Sequence, residues 1–345
     1  MRPPRDFTDF RRQVQSVFDG NEQALESAGI TPEVQLKTYL VECSVESGPA
    51  IAALGSPTPL GVPGWYALSS DKVEHLLVLD ASQPRVWRLF TLVPATASDE
   101  MVDDWVGGTS GLDHCWLTRG QLMRWEHEPG WVQRGIGLRF NDGLTPVDDA
   151  GNFSLKAWHG SRSLITGLSE VLDRARQSFA ISSVRWQLVN GGSPTLTAEC
   201  YSDGKITLNR ATDFDDVLTF SLEMANRYRD SLGAAQKARE ASLAPFEFAF
   251  SQEVNLDGFG EAVAMGRAPM RLWLAEVERD GDFRRYRGVD MHTWDRVFVD
   301  LTPGYGYLNV PSKGCVNAAP RIATIQGEDN AGKTSIFLDG VEMFA

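Results

Sequence analysis

The sequence predicts an α+β protein whose mixed sheets are rich in antiparallel strands and carry a few packed amphipathic helices. Predicted strands and helices do not alternate regularly along the 345 residues, as a doubly wound parallel sheet would require. Turn sequences at 190–192 (NGG) and 202–204 (SDG) separate short alternating runs, which is typical of antiparallel hairpins. A single core stops growing at roughly 250–300 residues, so we expect two domains.

The first domain, residues 1–150, is predicted to be a sheet with a few helices. Apolar residues at helical spacing predict helices at 8–19, 98–106 and 117–126. Residues 55–64 (GSPTPLGVPG) contain so many prolines and glycines that we expect no regular structure there. Turn residues and weak periodicity place the domain boundary at 141–162. The predicted strands lie at 37–46, 65–69, 75–80, 85–93 and 131–140.

The second domain, residues 163–345, is expected to begin with a helix, a three-stranded meander and a long helix. Apolar spacing predicts the two helices over 164–179 and over about 212–232. Beyond residue 245 the pattern indicates mostly strands, with one short helix at 256–265. These later strands are predicted at 246–250, 271–278, 283–287, 296–301, 307–310 and 322–325.

Charge and composition exclude several classes of function. The net charge of −13 disfavours broad binding to nucleic acids or to anionic lipid. No apolar signal segment follows Met1, and no apolar run approaches the roughly 18 residues of a membrane span. We therefore expect a cytoplasmic protein that binds no metal or cofactor, with four reduced, mostly buried thiols. These cysteines are far apart and form no CxxC pair: Cys43, Cys115, Cys200 and Cys315.

Arginine dominates the basic residues, with 26 arginines against 7 lysines. Because arginine codons are rich in G and C, this bias suggests a bacterial source with a GC-rich genome. Arginine and the ten tryptophans are residue types enriched at protein interfaces. The leading hypothesis is a non-catalytic recognition or assembly subunit of a bacterial cytoplasmic complex, with a protein partner.

One short segment concentrates basic and aromatic side chains that could bind a carboxylate, a phosphate or a partner protein. It consists of Arg284, Arg285, Tyr286 and Arg287. The alternative is an exposed strand of alternating charge that nearby acids neutralise. The acids closest in sequence are Asp280, Asp282 and Asp290.

A second hypothesis is a metal-dependent hydrolase of phosphoesters or nucleotides that uses Asp290, His292 and Asp295. On a strand, Asp290 and His292 would point to the same side, where a carboxylate and an imidazole can share a metal or a proton. The alternative is a turn in which Asp290 is a local cap and His292 lies at the surface. A third hypothesis is a small-ligand sensor in which the loop at 55–64 acts as a lid.

Residues 327–334 (GEDNAGKT) match the phosphate-binding pattern G-x-x-x-x-G-K-[ST] letter for letter. That pattern binds phosphate only when a strand precedes it and a helix follows it. Residues 335–338 predict a strand, and Glu328 and Asp329 would place negative charge beside the phosphates. We therefore expect a polar loop between two closing strands.

Overall fold

A computed structural model describes nine stretches of the chain and confirms the α+β class. These stretches contain seven α-helices and two antiparallel sheets, of eleven and seven strands. None of the helices in these stretches combines the length and the apolar character that a bilayer span requires. The helix predicted at 164–179 lies outside them. The described residues are 3–20, 35–69, 76–140, 153–158, 180–242, 244–266, 268–311, 314–329 and 333–345.

Most predicted helices and strands are present in the described residues. The helices are α1 (Phe7–Phe18), α2 (Ser47–Leu54), α3 (Ala95–Gly108), α4 (Arg119–Met123), α5 (Phe214–Ser242), α6 (Leu256–Ala264) and α7 (Ala318–Asp329). The strands of the larger sheet are β1 (Lys37–Cys43), β2 (Ser56–Pro59), β3 (Trp65–Ser69), β4 (Leu77–Asp80), β5 (Val86–Thr91), β6 (Leu112–His114), β7 (Trp131–Phe140), β8 (Phe153–Trp158), β9 (Ala180–Asn190), β10 (Ser193–Tyr201) and β11 (Lys205–Ala211). Those of the smaller sheet are β12 (Phe246–Phe250), β13 (Leu272–Asp280), β14 (Phe283–Asp290), β15 (Asp295–Leu301), β16 (Tyr305–Asn309), β17 (Thr334–Leu338) and β18 (Val341–Met343).

The strand order shows how the chain builds the two sheets. The larger sheet has the order β2-β3-β4-β5-β1-β11-β10-β9-β7-β8, and β6 also pairs with β1. The smaller sheet has the order β13-β14-β15-β16-β12-β17-β18. Consecutive strands are neighbours over much of both sheets, as hairpin connections favour.

The chain divides into two compact units, and neither is a continuous stretch of sequence. Unit 1 comprises Met1–Cys115, Glu128–Val132 and Trp186–Arg229. Unit 2 comprises Trp116–His127, Gln133–Arg185 and Asp230–Ala345. The boundary predicted at 141–162 stays a prediction, since most of those residues lie outside the described stretches.

Two predicted elements are wrong. Residues 322–325 lie in α7 rather than in a strand, because Pro320 fits a first helical turn and the buried Ala318, Ile322 and Ile325 have helical spacing. The segment predicted as an irregular loop at 55–64 contains β2, which pairs with β3. β2 is the end strand of its sheet, where prolines are tolerated because one edge needs no hydrogen bonds.

Unit 1 is organised around β1, whose seven residues are all buried. A strand that is covered on both faces does not alternate between buried and exposed residues, and on β1 the buried set includes the polar Lys37, Thr38 and Glu42. Phe10 of α1 extends this core, since its ring centroid lies 5.8 Å from that of Phe90 and 5.2 Å from that of Phe214. Aromatic edge-to-face contacts thus join α1, β5 and α5 within unit 1.

A buried ion pair links β4, β5 and α5. Two nitrogens of Arg88 donate hydrogen bonds to Asp80 Oδ2, at 2.9 and 2.6 Å. The third nitrogen donates to the carbonyl of Leu218 at 2.7 Å and to Ser221 Oγ at 2.9 Å. The Arg88 and Asp80 side chains are only 5% and 1% exposed. Every charged nitrogen therefore has a partner, as burial of an arginine requires.

We expect Arg88→Met to destabilise the protein by about 3–5 kcal/mol, because it leaves the Asp80 carboxylate buried without a cation. Urea unfolding followed by tryptophan fluorescence measures the change. The control is Arg11→Gln, which removes the exposed Arg11–Asp215 pair and should cost less than about 1 kcal/mol. Equal losses for the two variants would contradict a special role for the buried pair.

A second cluster of charged groups joins β1, β11 and α3 in unit 1. Lys205 Nζ lies 2.6 and 2.7 Å from the two carboxylate oxygens of Asp99, and Tyr39 donates a hydrogen bond to Asp99 at 2.5 Å. Lys37 lies on β1 and is 3% exposed. Burial, and then the neighbouring charge of Lys205, lower the pKa of Lys37 to about 8.

The lowered pKa of Lys37 predicts a pH-dependent contribution to stability. Between about pH 8 and about pH 10.5 the unfolded chain keeps a proton on Lys37 that the folded chain has lost, so stability from this group rises with pH. The free energy of unfolding of wild type, measured relative to that of Lys37→Met, should rise by up to about 3 kcal/mol across that range. Urea unfolding at several pH values tests this. Lys237→Met, which removes an exposed lysine of α5, should show no such trend.

Candidate functional site

The three residues proposed for hydrolysis lie around the turn that joins β14 to β15. Asp290 ends β14 and Asp295 begins β15, and the two are cross-strand partners. Asp290 Oδ1 accepts the backbone N–H of His292 at 3.0 Å. Asp290 is therefore a local cap of the turn, in agreement with the alternative interpretation. His292 is fully buried rather than at the surface.

Asp290 is also the partner of a buried arginine. Arg321 Nη2 of α7 lies 2.6 Å from Asp290 Oδ1, and the two side chains are 0% and 2% exposed. Within the described part of the chain, no group of three potential metal ligands contains Asp290 or Asp295. The contacts of Asp290 are those of a structural carboxylate, and the hydrolase assignment stays a prediction.

His292 lies beside a residue that sequence spacing did not suggest. One of its ring nitrogens is within 4.8 Å of Cys315 Sγ, and both side chains are buried. Cys315 itself accepts the backbone N–H of Asn317 at 3.5 Å. All four cysteines are buried and none is in a disulfide, as predicted. A separation of 23 residues between His292 and Cys315 left no local pattern to detect.

The basic segment at 284–287 is divided between the two faces of the smaller sheet. Side chains alternate along a strand, so Arg284 and Tyr286 share one face while Arg285 and Arg287 share the other. Arg284 and Tyr286 are buried, whereas Arg287 is exposed. The segment is thus two separate pairs of residues with different surroundings.

The inward pair of this segment stabilises unit 2. Tyr286 is 1% exposed and donates a hydrogen bond to the carbonyl of Leu256 in α6 at 3.1 Å. Its ring also contacts Phe259 edge to face, with 5.4 Å between centroids. Burial raises the pKa of Tyr286 to about 12. Arg284 donates a hydrogen bond to the carbonyl of Gly281 at 2.6 Å and so binds the backbone of the hairpin turn.

The outward pair differs in its ionic partners. Arg285 bonds both oxygens of Asp300, at 2.9 and 3.1 Å, and Glu278 at 2.6 Å. The hydrogen bond to Asp300 raises the pKa of Arg285 above its ordinary value. Arg287 has no carboxylate partner among the described residues, and its guanidinium lies over the ring of Phe298, 5.8 Å from the centroid. The three acids predicted to neutralise the segment, Asp280, Asp282 and Asp290, do not pair with Arg285, whose partners are Asp300 and Glu278.

We call the side of the smaller sheet that carries Arg285 and Arg287 the open face. Exposed aromatic residues are concentrated on it. Trp273 is 57% exposed, Tyr305 63% and Tyr307 45%. Strand register places Arg287, Phe298 and Asn309 in one row across the sheet. The neighbouring row of the open face contains Arg285, Asp300, Tyr307, Glu247 and Phe337.

A shallow depression of about 280 Å³ lies on the open face. Its walls include Arg287, Phe298, Tyr307 and Asn309, and the Arg285–Asp300 pair borders it. The depression therefore combines aromatic surface, one amide and one arginine without a carboxylate partner. Sequence reasoning found Arg285 and Arg287 but missed the aromatic residues, which come from other strands.

Similarity to known proteins places this chain in a family. A family model described as "MJECL33-like protein" matches residues 21–327, which is most of the chain. The chain belongs to the MJECL33-like family. "Uncharacterized protein MJECL33" of Methanocaldococcus jannaschii is 22% identical over 351 residues, which cover 86% of this chain and 85% of that protein. The residues of the MJECL33-like match include β13–β16 and the depression.

The phosphate-binding pattern at 327–334 lies almost wholly beyond the match to the MJECL33-like family, which ends at residue 327. The helix α7 ends at Asp329, and the strand β17 begins at Thr334. A helix thus precedes the pattern and a strand follows it, the reverse of a phosphate-binding loop. The prediction that no phosphate site forms here agrees with this order, but the preceding element is a helix and not the strand we expected.

The contacts of Asp290 lead to a stability prediction for this MJECL33-like protein. Asp290→Asn should destabilise it by about 3–5 kcal/mol, because it removes the carboxylate that lies 2.6 Å from the buried Arg321 guanidinium. The matched control is Asp295→Asn on the other side of the same turn, with an expected change within about 0.5 kcal/mol. Thermal and urea unfolding measure both. A stable Asp290→Asn protein would contradict the structural role.

Proposed function

We propose that this protein is a recognition or assembly subunit that binds a partner protein through the open face of its smaller sheet. The observation that carries the proposal is the exposure of Trp273, Tyr305 and Tyr307 on that one surface. Aromatic side chains that stay exposed on one face of a sheet cost solvation free energy in an isolated protein, and exposed apolar surface of this kind commonly marks a binding site.

The residue types of the open face are those that dominate binding energy at protein interfaces. Tryptophan, tyrosine and arginine are enriched among the residues whose truncation costs most. Here they lie on adjacent strands of a regular sheet, so little conformational entropy is lost when a partner binds. A rigid aromatic surface favours a stable complex over a transient encounter.

The charge of the open face supports a protein partner over a nucleic acid. Three arginines occur there, at 285, 287 and 296, and five acids, at 247, 278, 280, 300 and 342. Nucleic-acid binding draws its affinity from a broad excess of positive charge. A face on which acids outnumber arginines, on a chain with a net charge of −13, does not provide that excess.

Affinity purification with a double variant, Trp273→Ser with Tyr305→Ser, tests the proposal. Both residues are exposed, so the change should leave folding within about 0.5 kcal/mol of wild type. Wild type, tagged in its own cell, should retain a partner in a defined ratio, and the variant should lose it. The recombinant partner should then bind wild type in calorimetry and bind the double variant at least about tenfold more weakly.

The matched control is Val341→Ser, which removes an exposed apolar residue from β18. Leu338 pairs with Val341, and Leu338 is buried, so this residue belongs to the side opposite the open face. It should bind the same partner as wild type. Retention of the partner by the double variant, or equal loss with the control, would show that another surface is used.

A further inference from the structure

The open face contains two arginines that lie close together and have no carboxylate partner among the described residues. Arg287 is on β14 opposite Phe298, and Arg296 is two residues before Phe298 on β15. Such diagonal neighbours on one face of a sheet are roughly 7–8 Å apart. Arg285, by contrast, is already paired with Asp300 and Glu278. Positive charge is therefore uncompensated at one place on the face.

The Arg287 guanidinium lies beside an aromatic ring. The group lies over the Phe298 ring at 5.8 Å from the centroid, in a cation–π arrangement. A stacked guanidinium keeps its in-plane N–H groups available and loses less freedom when it forms a bidentate hydrogen bond. Asn309, next to Phe298 across the sheet, adds an amide to the same depression.

Nearby acids limit the charge that a ligand can carry. Asp300 borders the depression, and Glu247 lies across the sheet from Tyr307. A polyanion would be repelled by these carboxylates, whereas a single carboxylate carries one charge that Arg287 can neutralise. Tyr307 and Phe298 offer apolar surface for the groups beside that carboxylate.

We infer that the depression is an anchor site for one acidic side chain, Asp or Glu, flanked by apolar residues in the partner protein. Arg287 is the residue that binds the carboxylate, and Phe298 and Tyr307 contact its apolar neighbours. The inference rests on the proposed function and specifies the chemistry that the open face recognises.

Two matched peptides test the anchor on the full-length protein: acetyl-Phe-Glu-Phe-amide and acetyl-Phe-Gln-Phe-amide. Nuclear magnetic resonance titration gives their dissociation constants. Wild type should bind the Glu peptide about tenfold more tightly than the Gln peptide, as expected for a charged hydrogen bond. Arg287→Gln should abolish this preference, and Arg287→Lys should retain only part of it, because lysine cannot form the planar pair.

Arg279→Gln is the matched control, since it removes the same charge from an arginine that is already paired with Glu276 and Asp257. It should retain the preference of wild type for the Glu peptide. Equal binding of the two peptides by wild type, or the same loss in Arg279→Gln as in Arg287→Gln, would overturn the anchor site.

Two further probes identify other ligand classes. A phosphoserine peptide of the same design that binds much more tightly than the Glu peptide would overturn the carboxylate assignment in favour of a phosphate. A ten-residue oligothymidylate that binds with comparable affinity would overturn it in favour of a nucleic acid.

The anchor site and the proposed function fail in different ways. If Trp273→Ser with Tyr305→Ser loses the partner while Arg287→Gln keeps it, and the peptides are not distinguished, the open face is an interface without this anchor. If the double variant keeps its partner, the proposed function fails, whatever the peptides show.

Discussion

Alternation of side chains along the strands of the smaller sheet is the constraint on which the rest of unit 2 depends. Each strand must place one set of residues in the core and the opposite set outside. On β14, Tyr286 is consequently buried against α6, while Arg287, the next residue, is exposed. The same rule on β15 and β16 brings Phe298 and Tyr307 to the side of Arg287. The residues of the open face are thus those that alternate, along each strand, with residues packed in the core.

Each of the two units contains a buried arginine that is paired with a buried aspartate. Arg88 in unit 1 and Arg321 in unit 2 are each paired with one buried aspartate, Asp80 and Asp290 respectively. Burial of a guanidinium costs desolvation free energy, and the paired carboxylate offsets part of that cost. These pairs tie side chains from separate elements into a single arrangement. Arg287 differs because it is exposed and has no carboxylate partner among the described residues.

Local sequence patterns predicted most of the helices and strands, and the failures have physical causes. β14 and β15 were recognisable because alternation persists for several residues in each. Residues 322–325 were taken for a strand, since a short apolar run is compatible with either structure. The carboxylate of Asp290 could not be assigned from its neighbours, because its cation comes from Arg321, 31 residues away.

The sequence by itself determined the α+β class, the hairpins and the positions of Arg285 and Arg287, since these follow from short-range periodicity and turn chemistry. Only the tertiary structure decided that Trp273, Phe298, Tyr305 and Tyr307 share a surface, and that His292 lies beside Cys315. Strand order and register bring the four aromatic residues to one face, and both depend on the packing of the whole unit rather than on any local segment. His292 and Cys315 lie outside the strands, in segments 23 residues apart.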